Sequence, residues 1–162
     1  MFSSVVFAQN QFGIRLNKSI GGYGEHGFVY QRDSVLGNFD LKAQLISSRL
    51  GSAIFNNAIK QEQITLGVQK AWFQDKSIEL LLALNTGYFR TDYGSEIFDV
   101  LDNDVFFIAP EFGVKTNKYK GFDIGVSFLY NLGAGDGISG PGSLFSIQTG
   151  LFITKEIGGK DE

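Results

Sequence analysis

The chain has no cysteine, which excludes disulfide frameworks, zinc–thiolate centres and thiol nucleophiles together. It has only two prolines and no long run of like charge, and its net charge of -3 offers no basic footprint for nucleic acid. It also has no long apolar stretch suited to a membrane helix. The longest segment free of charged residues runs from Gly137 to Thr154, and Gly137, Gly140, Pro141, Gly142 and Gly150 within it cannot form a lipid-facing helix. If this chain enters a bilayer, it must do so as a closed barrel.

What is present points to strands. Against the two prolines stand 21 glycines, and phenylalanine dominates the aromatics with 16 residues, a balance that favours strands and tight turns. At 162 residues with 43% hydrophobic content, the chain has one domain's length and ample apolar surface to order its body. The clearest pattern is FDIGVSFLYNL, Phe122 to Leu132. One face carries Phe122, Ile124, Val126, Phe128, Tyr130 and Leu132; the other carries Asp123, Gly125, Ser127, Leu129 and Asn131. The second face is mostly small and polar, lacking the Lys and Glu of a soluble sheet surface. Such a strand fits lipid on its apolar side and a narrow lumen on the other.

The same device recurs. Reading alternation and turn chemistry together predicts eight strands: Gln11 to Gly22, Glu25 to Gln31, Leu36 to Leu50, Glu62 to Phe73, Ile78 to Phe89, Val105 to Thr116, Phe122 to Leu132 and Leu144 to Glu156. The second has the weakest pattern, and Pro110 predicts a bulge or irregular pairing in the sixth. Short connections at 32–34, 74–77 and 117–121 alternate with long ones at 51–61, 90–104 and 133–143, the pattern of an up-and-down barrel with both termini on the short-turn side. The fold class is therefore all-β, an eight-stranded antiparallel transmembrane barrel over residues 9–157. Residues 1–8 read as the remnant of an export signal ending at Ala8, and 158–162 as a polar tail.

The inward faces gather Arg15, Asp40, Lys42, Glu79, Glu111, Lys115, Asp123 and Gln148 into one lumen. Unpaired charge is costly there, so a network of ion pairs and hydrogen bonds filling the lumen is expected over a proton or ion pathway. Aromatic belts are expected from Trp72, Phe73 and Tyr119 near the short turns, and from Tyr23, Tyr88, Phe89, Tyr93 and Tyr130 near the long loops. The loop Asp99 to Asp104 clusters carboxylates but lacks the spacing of a calcium loop, and Gly133 to Gly142 lacks the Lys and Ser/Thr of a phosphate loop. No cofactor or metal site is expected.

On these residues the chain resembles small outer-membrane β-barrels of the OmpA/OmpX kind, and Ala8 followed by Gln9 resembles the export signals of Bacteroidota envelope proteins. The resemblance spans about residues 11 to 157 and rests on pattern. It implies an integral protein of a Gram-negative outer membrane, surrounded by its lipid, whose loops 51–61, 90–104 and 133–143 contact other envelope proteins or surface ligands. Two alternatives remain. A lipocalin-like soluble or periplasmic barrel would turn Phe122, Ile124, Val126 and Phe128 inward around an apolar ligand. A lipid-modifying barrel enzyme would need His26, the one histidine, with Ser19, Ser34 or Glu25 as neighbours; at the seventh strand, where lipid A deacylases carry His-x-Ser, this chain has Leu129, Tyr130 and Asn131.

Overall fold

The computed structural model describes residues 9–19, 24–50, 59–74, 76–92, 103–116, 121–134 and 147–157. Residues 1–8 and 158–162, most of the three long connections, and Tyr23, Tyr93 and Tyr119 lie outside the described residues.

Alternation builds the described strands: β1 Asn10–Ser19, β2 Gly24–Leu36, β3 Phe39–Leu50, β4 Ile59–Trp72, β5 Ile78–Asp92, β6 Asn103–Thr116, β7 Phe122–Tyr130, β8 Leu132–Ala134 and β9 Ile147–Ile157. All pairings are antiparallel, in the order β5-β4-β3-β2-β1-β9-β7-β6, and β5 pairs with β6 to close the ring. β7 and β8 are two lengths of one strand on β6, so nine segments make an eight-stranded barrel. Asn10 faces Ile157 across the β1–β9 seam, which puts both ends of the barrel beside the short turns.

Closure decides which face is inside. Ser127 is fully buried while Phe128 beside it is 57% exposed, and the same parity runs through β1 to β9. The apolar side of every strand faces out and the small polar side faces in, so Phe122, Val126 and Phe128 are exposed where a lipocalin-like barrel would bury them. That removes the apolar-interior alternative.

Three local expectations are corrected, and a fourth, at Pro110, is met in one of its two forms. The turn expected at 32–34 lies at Gly37–Asn38: Leu36 pairs with Phe39 around a two-residue loop, and Gly37 has φ +68°, which glycine adopts without a Cβ clash. Arg32, Asp33 and Ser34 instead form an irregular stretch in which the β2–β3 register shifts and Ser34 takes φ 56°. β2 itself runs for 13 residues. Its pattern is weak because His26 and Arg32 occupy outward positions, and ladders on both sides supply what its own periodicity lacks. Pro110 brings the irregular pairing expected of it rather than a bulge: it stays in register with Leu84 of β5, while the ladder to the other neighbour lapses between Glu111–Leu129 and Ile108–Leu132, where the missing N–H leaves no donor. Finally, Phe89 points inward at 6% exposure, since it shares parity with Leu81 and Asn85.

Candidate functional site in the barrel lumen

The lumen is built in layers, each from side chains that strand parity turns inward. Near the short turns, Lys115 lies 3.2 Å from Asp123 and 3.4 Å from Glu79, its direct partner across the β5–β6 ladder. Asp40 accepts the backbone N–H of Ser34 at 3.0 Å, which ties the irregular stretch of β2 to β3. Thr154 donates to Gln11 at 3.1 Å on the β1–β9 side of the same level.

At mid-barrel a single carboxylate holds two cations. Glu111 accepts from Arg15 at 2.8 Å, from Lys42 at 2.5 Å and from Asn85 at 3.0 Å. Arg15, 1% exposed, also donates to Ser127 and to Asn17, each at 2.7 Å, and lies 5.9 Å from the centre of the Phe152 ring. Its guanidinium thus reaches β1, β6 and β7 at once, which suits its fixed fork of donors. Gly150 makes the room: a Cβ there would strike the guanidinium and come within 2.7 Å of Asn17 Oδ1.

Toward the long loops, Glu25 accepts from Asn17 at 3.1 Å and from Gln148 at 3.0 Å. Beside this pair the interior turns apolar, with Ile46, Phe89, Val105 and Phe107 all buried on β3, β5 and β6. Strand register brings them together: Gln63 faces Ile46 on one side and Phe89 on the other, and Phe89 faces Val105.

Arg15, Asp40, Lys42, Glu79, Glu111, Lys115, Asp123 and Gln148 are therefore all buried inward. The structure brings Arg15 and Lys42 together on Glu111, groups Lys115 with Glu79 and Asp123, and places Gln148 with Glu25. Sequence reasoning missed Glu25, Asn17, Asn85 and Ser127 as partners. Their parity was available, since Glu25 alternates in step with Val29 and Gln31, but partner choice depends on register across strands.

The outer surface carries the aromatics. Near the short turns, Lys70 lies 5.5 Å from the rings of both Phe39 and Trp72, Lys76 lies 4.8 Å from Phe73, and Lys155 lies 5.5 Å from Phe122. Such ammonium groups bend over rings toward water while their stems lie on apolar surface. Toward the long loops, Tyr88 packs edge-on against Phe106 at 5.3 Å, and Tyr130 is exposed. Tyr88 and Tyr130 therefore sit on the outer face, whereas Phe89 does not.

His26 is exposed on the outer face near the long-loop end. Two of its three suggested neighbours do not accompany it, since Glu25 points into the lumen and Ser34 lies at the opposite end of β2; the Ser19 side chain is outside the described residues. Its ladder partner is Ser47, followed across the sheet by Glu62 and Arg90. These four, with Phe28, Leu45, Ile64 and Tyr88, line a groove of about 580 Å³. Among the described residues, no group of three or more Asp, Glu or His side chains is placed to hold a metal ion.

No protein-family model matches this chain, and no curated protein matches its sequence. Solved structures do match its shape. The crystal structure of Neisserial surface protein A (NspA) aligns with a TM-score of 0.57 at 10% identity, covering 93% of this chain and 96% of that one. The Yersinia pestis outer membrane protein Ail, determined in a phospholipid bilayer nanodisc, aligns with a TM-score of 0.56 at 13% identity, covering 93% and 100%. With identity this low the likeness speaks for the fold alone, and the chain is a closed, all-β, eight-stranded antiparallel barrel of the kind these proteins share.

Proposed function

We propose that this protein is an integral outer-membrane β-barrel of a Gram-negative envelope, with a non-catalytic role in structure, adhesion or partner binding through the loops at 51–61, 90–104 and 133–143. One observation carries the reading: Phe12, Ile14, Leu45, Ile64, Leu82, Leu84, Ile108 and Phe128 form an exposed apolar surface around a lumen whose polar groups are buried. In water that surface would be an aggregation liability far larger than the patches soluble monomers expose; in a bilayer it is the required lipid contact. The ion pairs on Glu111 and Lys115 support a lumen plugged by side chains, leaving the loops to supply contacts. The fold shared with an outer-membrane protein, Ail, is consistent with this location.

The test is electrophoretic mobility of the refolded protein in detergent micelles, unboiled against boiled, with a detergent-free sample alongside. A heat-dependent shift and detergent-dependent solubility are expected. A monodisperse monomer without detergent would overturn the membrane reading.

A further inference from the structure

One wall of the lumen is largely bonded, with Gln148 Oε1 an exception, and the opposite wall is not. The bonded side carries Arg15, Ser127 and Glu111. Along β2 to β5 a series of deeply buried polar atoms has no hydrogen-bond partner among the described residues: Gln63 Oε1, Thr65 Oγ1, Gln44 Oε1, Asn85 Oδ1, Gln69 Nε2 and Gln31 Nε2. Their residues are all at most 5% exposed.

Register makes these atoms neighbours. Gln63, Thr65, Gly67 and Gln69 are successive inward positions of β4, spanning about 20 Å of strand. Gln44 is the ladder partner of Thr65, Asn85 that of Gly67, and Asp40 that of Gln69. Gln31 lies close enough to the Asp40 carboxylate to interact with it, although its Nε2 makes no hydrogen bond of ordinary length and angle there. The orientation of Asn85 is set by chemistry: Glu111 can only accept, so the amide nitrogen of Asn85 faces it and the oxygen Oδ1 must turn to the Gly67 side. Gly67 lets that oxygen lie close to the β4 backbone, since a Cβ there would come within 2.3 Å of it.

Buried polar atoms without partners each cost about 1–3 kcal/mol, and a contiguous set of them is not tolerated dry. We propose that the seam along β4, from Gln63 to Gln69, binds a short file of ordered water molecules. The file bridges Gln63, Thr65 and Gln44 to Asn85 Oδ1 and ends on Gln69, Gln31 and Asp40. Buried waters make about three hydrogen bonds each, so these atoms call for on the order of three molecules, within the roughly six a chain of this length ordinarily holds. Ile46, Phe89, Val105 and Phe107 lie beside its Gln63 end, and the cations on Glu111 flank its middle. The seam is therefore a site for retained water, and the proposal rests on the interior alone, independent of the membrane the barrel occupies.

The test is cross-relaxation from water to the side-chain amide protons of Gln31 and Gln69 in the isotope-labelled, refolded barrel. Cross-peaks at both amides, with the sign of water that tumbles with the protein, are expected. Gln44→Leu removes one acceptor from the file and is expected to roughly halve the Gln31 cross-peak; Thr65→Val, which keeps the side chain's shape, serves if Gln44→Leu does not fold. Absence of water cross-peaks at both amides in the unmodified protein would overturn the proposal, as would peaks that no seam substitution alters.

Discussion

Replacing Glu111 by Gln is the sharpest perturbation of the interior. The carboxylate accepts from Arg15 at 2.8 Å, Lys42 at 2.5 Å and Asn85 at 3.0 Å, and all four residues are essentially inaccessible to solvent. An amide keeps the shape and one acceptor but turns an N–H toward one of two cations and leaves both without a counter-charge. Removing one partner of a buried ion pair costs about 3–5 kcal/mol. Two pairs converge here, but retained packing and water drawn into the seam offset part of the loss, so about 4 kcal/mol is expected. That is close to a thousandfold in the folded-to-unfolded ratio, and a large share of the roughly 5–15 kcal/mol that keeps a domain folded. The assay is urea titration of the barrel in lipid vesicles, read by the unboiled gel band and by fluorescence of Trp72, the only tryptophan. Adding Lys42→Met to Glu111→Gln removes one stranded cation, so the double variant should be more stable than Glu111→Gln alone by at least about 1 kcal/mol. A loss below about 1 kcal/mol for Glu111→Gln, or simple additivity with Lys42→Met, would refute the shared-carboxylate account.

Further predictions use the same titration unless stated. Gly150→Ala should lower the urea midpoint, because its Cβ would collide with the Arg15 guanidinium, while Gly24→Ala, with nothing within 4 Å of its added atom, should leave the midpoint in place; equal effects would contradict the close approach. Phe128→Arg on the outer face should cost about 2–4 kcal/mol in vesicles if it lies near the bilayer midplane, and a neutral result would argue that no lipid covers this face. Lys115→Met leaves Glu79 and Asp123 facing each other without their shared cation and should destabilise the barrel at neutral pH; an unchanged midpoint would mean that the cluster near the turns is solvated and its geometry immaterial. His26→Ala should leave the acylation pattern of membrane lipids unaltered in cells that express it, and a changed pattern would bring the His26–Ser47 pair forward as chemistry.

The predicted strands and their inward faces matched the fold wherever small polar and large apolar residues alternate without interruption, as in β7 and β9. Parity is a property of one strand and needs no partner, so Arg15, Lys42, Glu111 and Lys115 could be assigned to the polar face from local pattern alone. The second strand was legible only in part, because His26 and Arg32 interrupt its apolar side and pairing with β1 and β3 stabilises it. The turn at Gly37–Asn38 was present as a Gly-Asn dipeptide but was outweighed by the charged Arg32-Asp33, which the fold accommodates in an irregular stretch inside β2. Phe89 lies on the inner face because parity, not aromatic character, sets the side of a strand residue.

Local alternation by itself determined an all-β chain with two chemically opposite faces, since side chains one residue apart on an extended backbone point in opposite directions. Which face is inside, which strands meet at the seam, and that Glu111 rather than Glu79 or Asp123 holds both Arg15 and Lys42 were decided only by closure of the ring. The stagger between strands sets which inward residues share a level, and that stagger comes from turns, hydrogen-bond ladders and barrel diameter acting together, none of which is encoded in the alternation of a single strand.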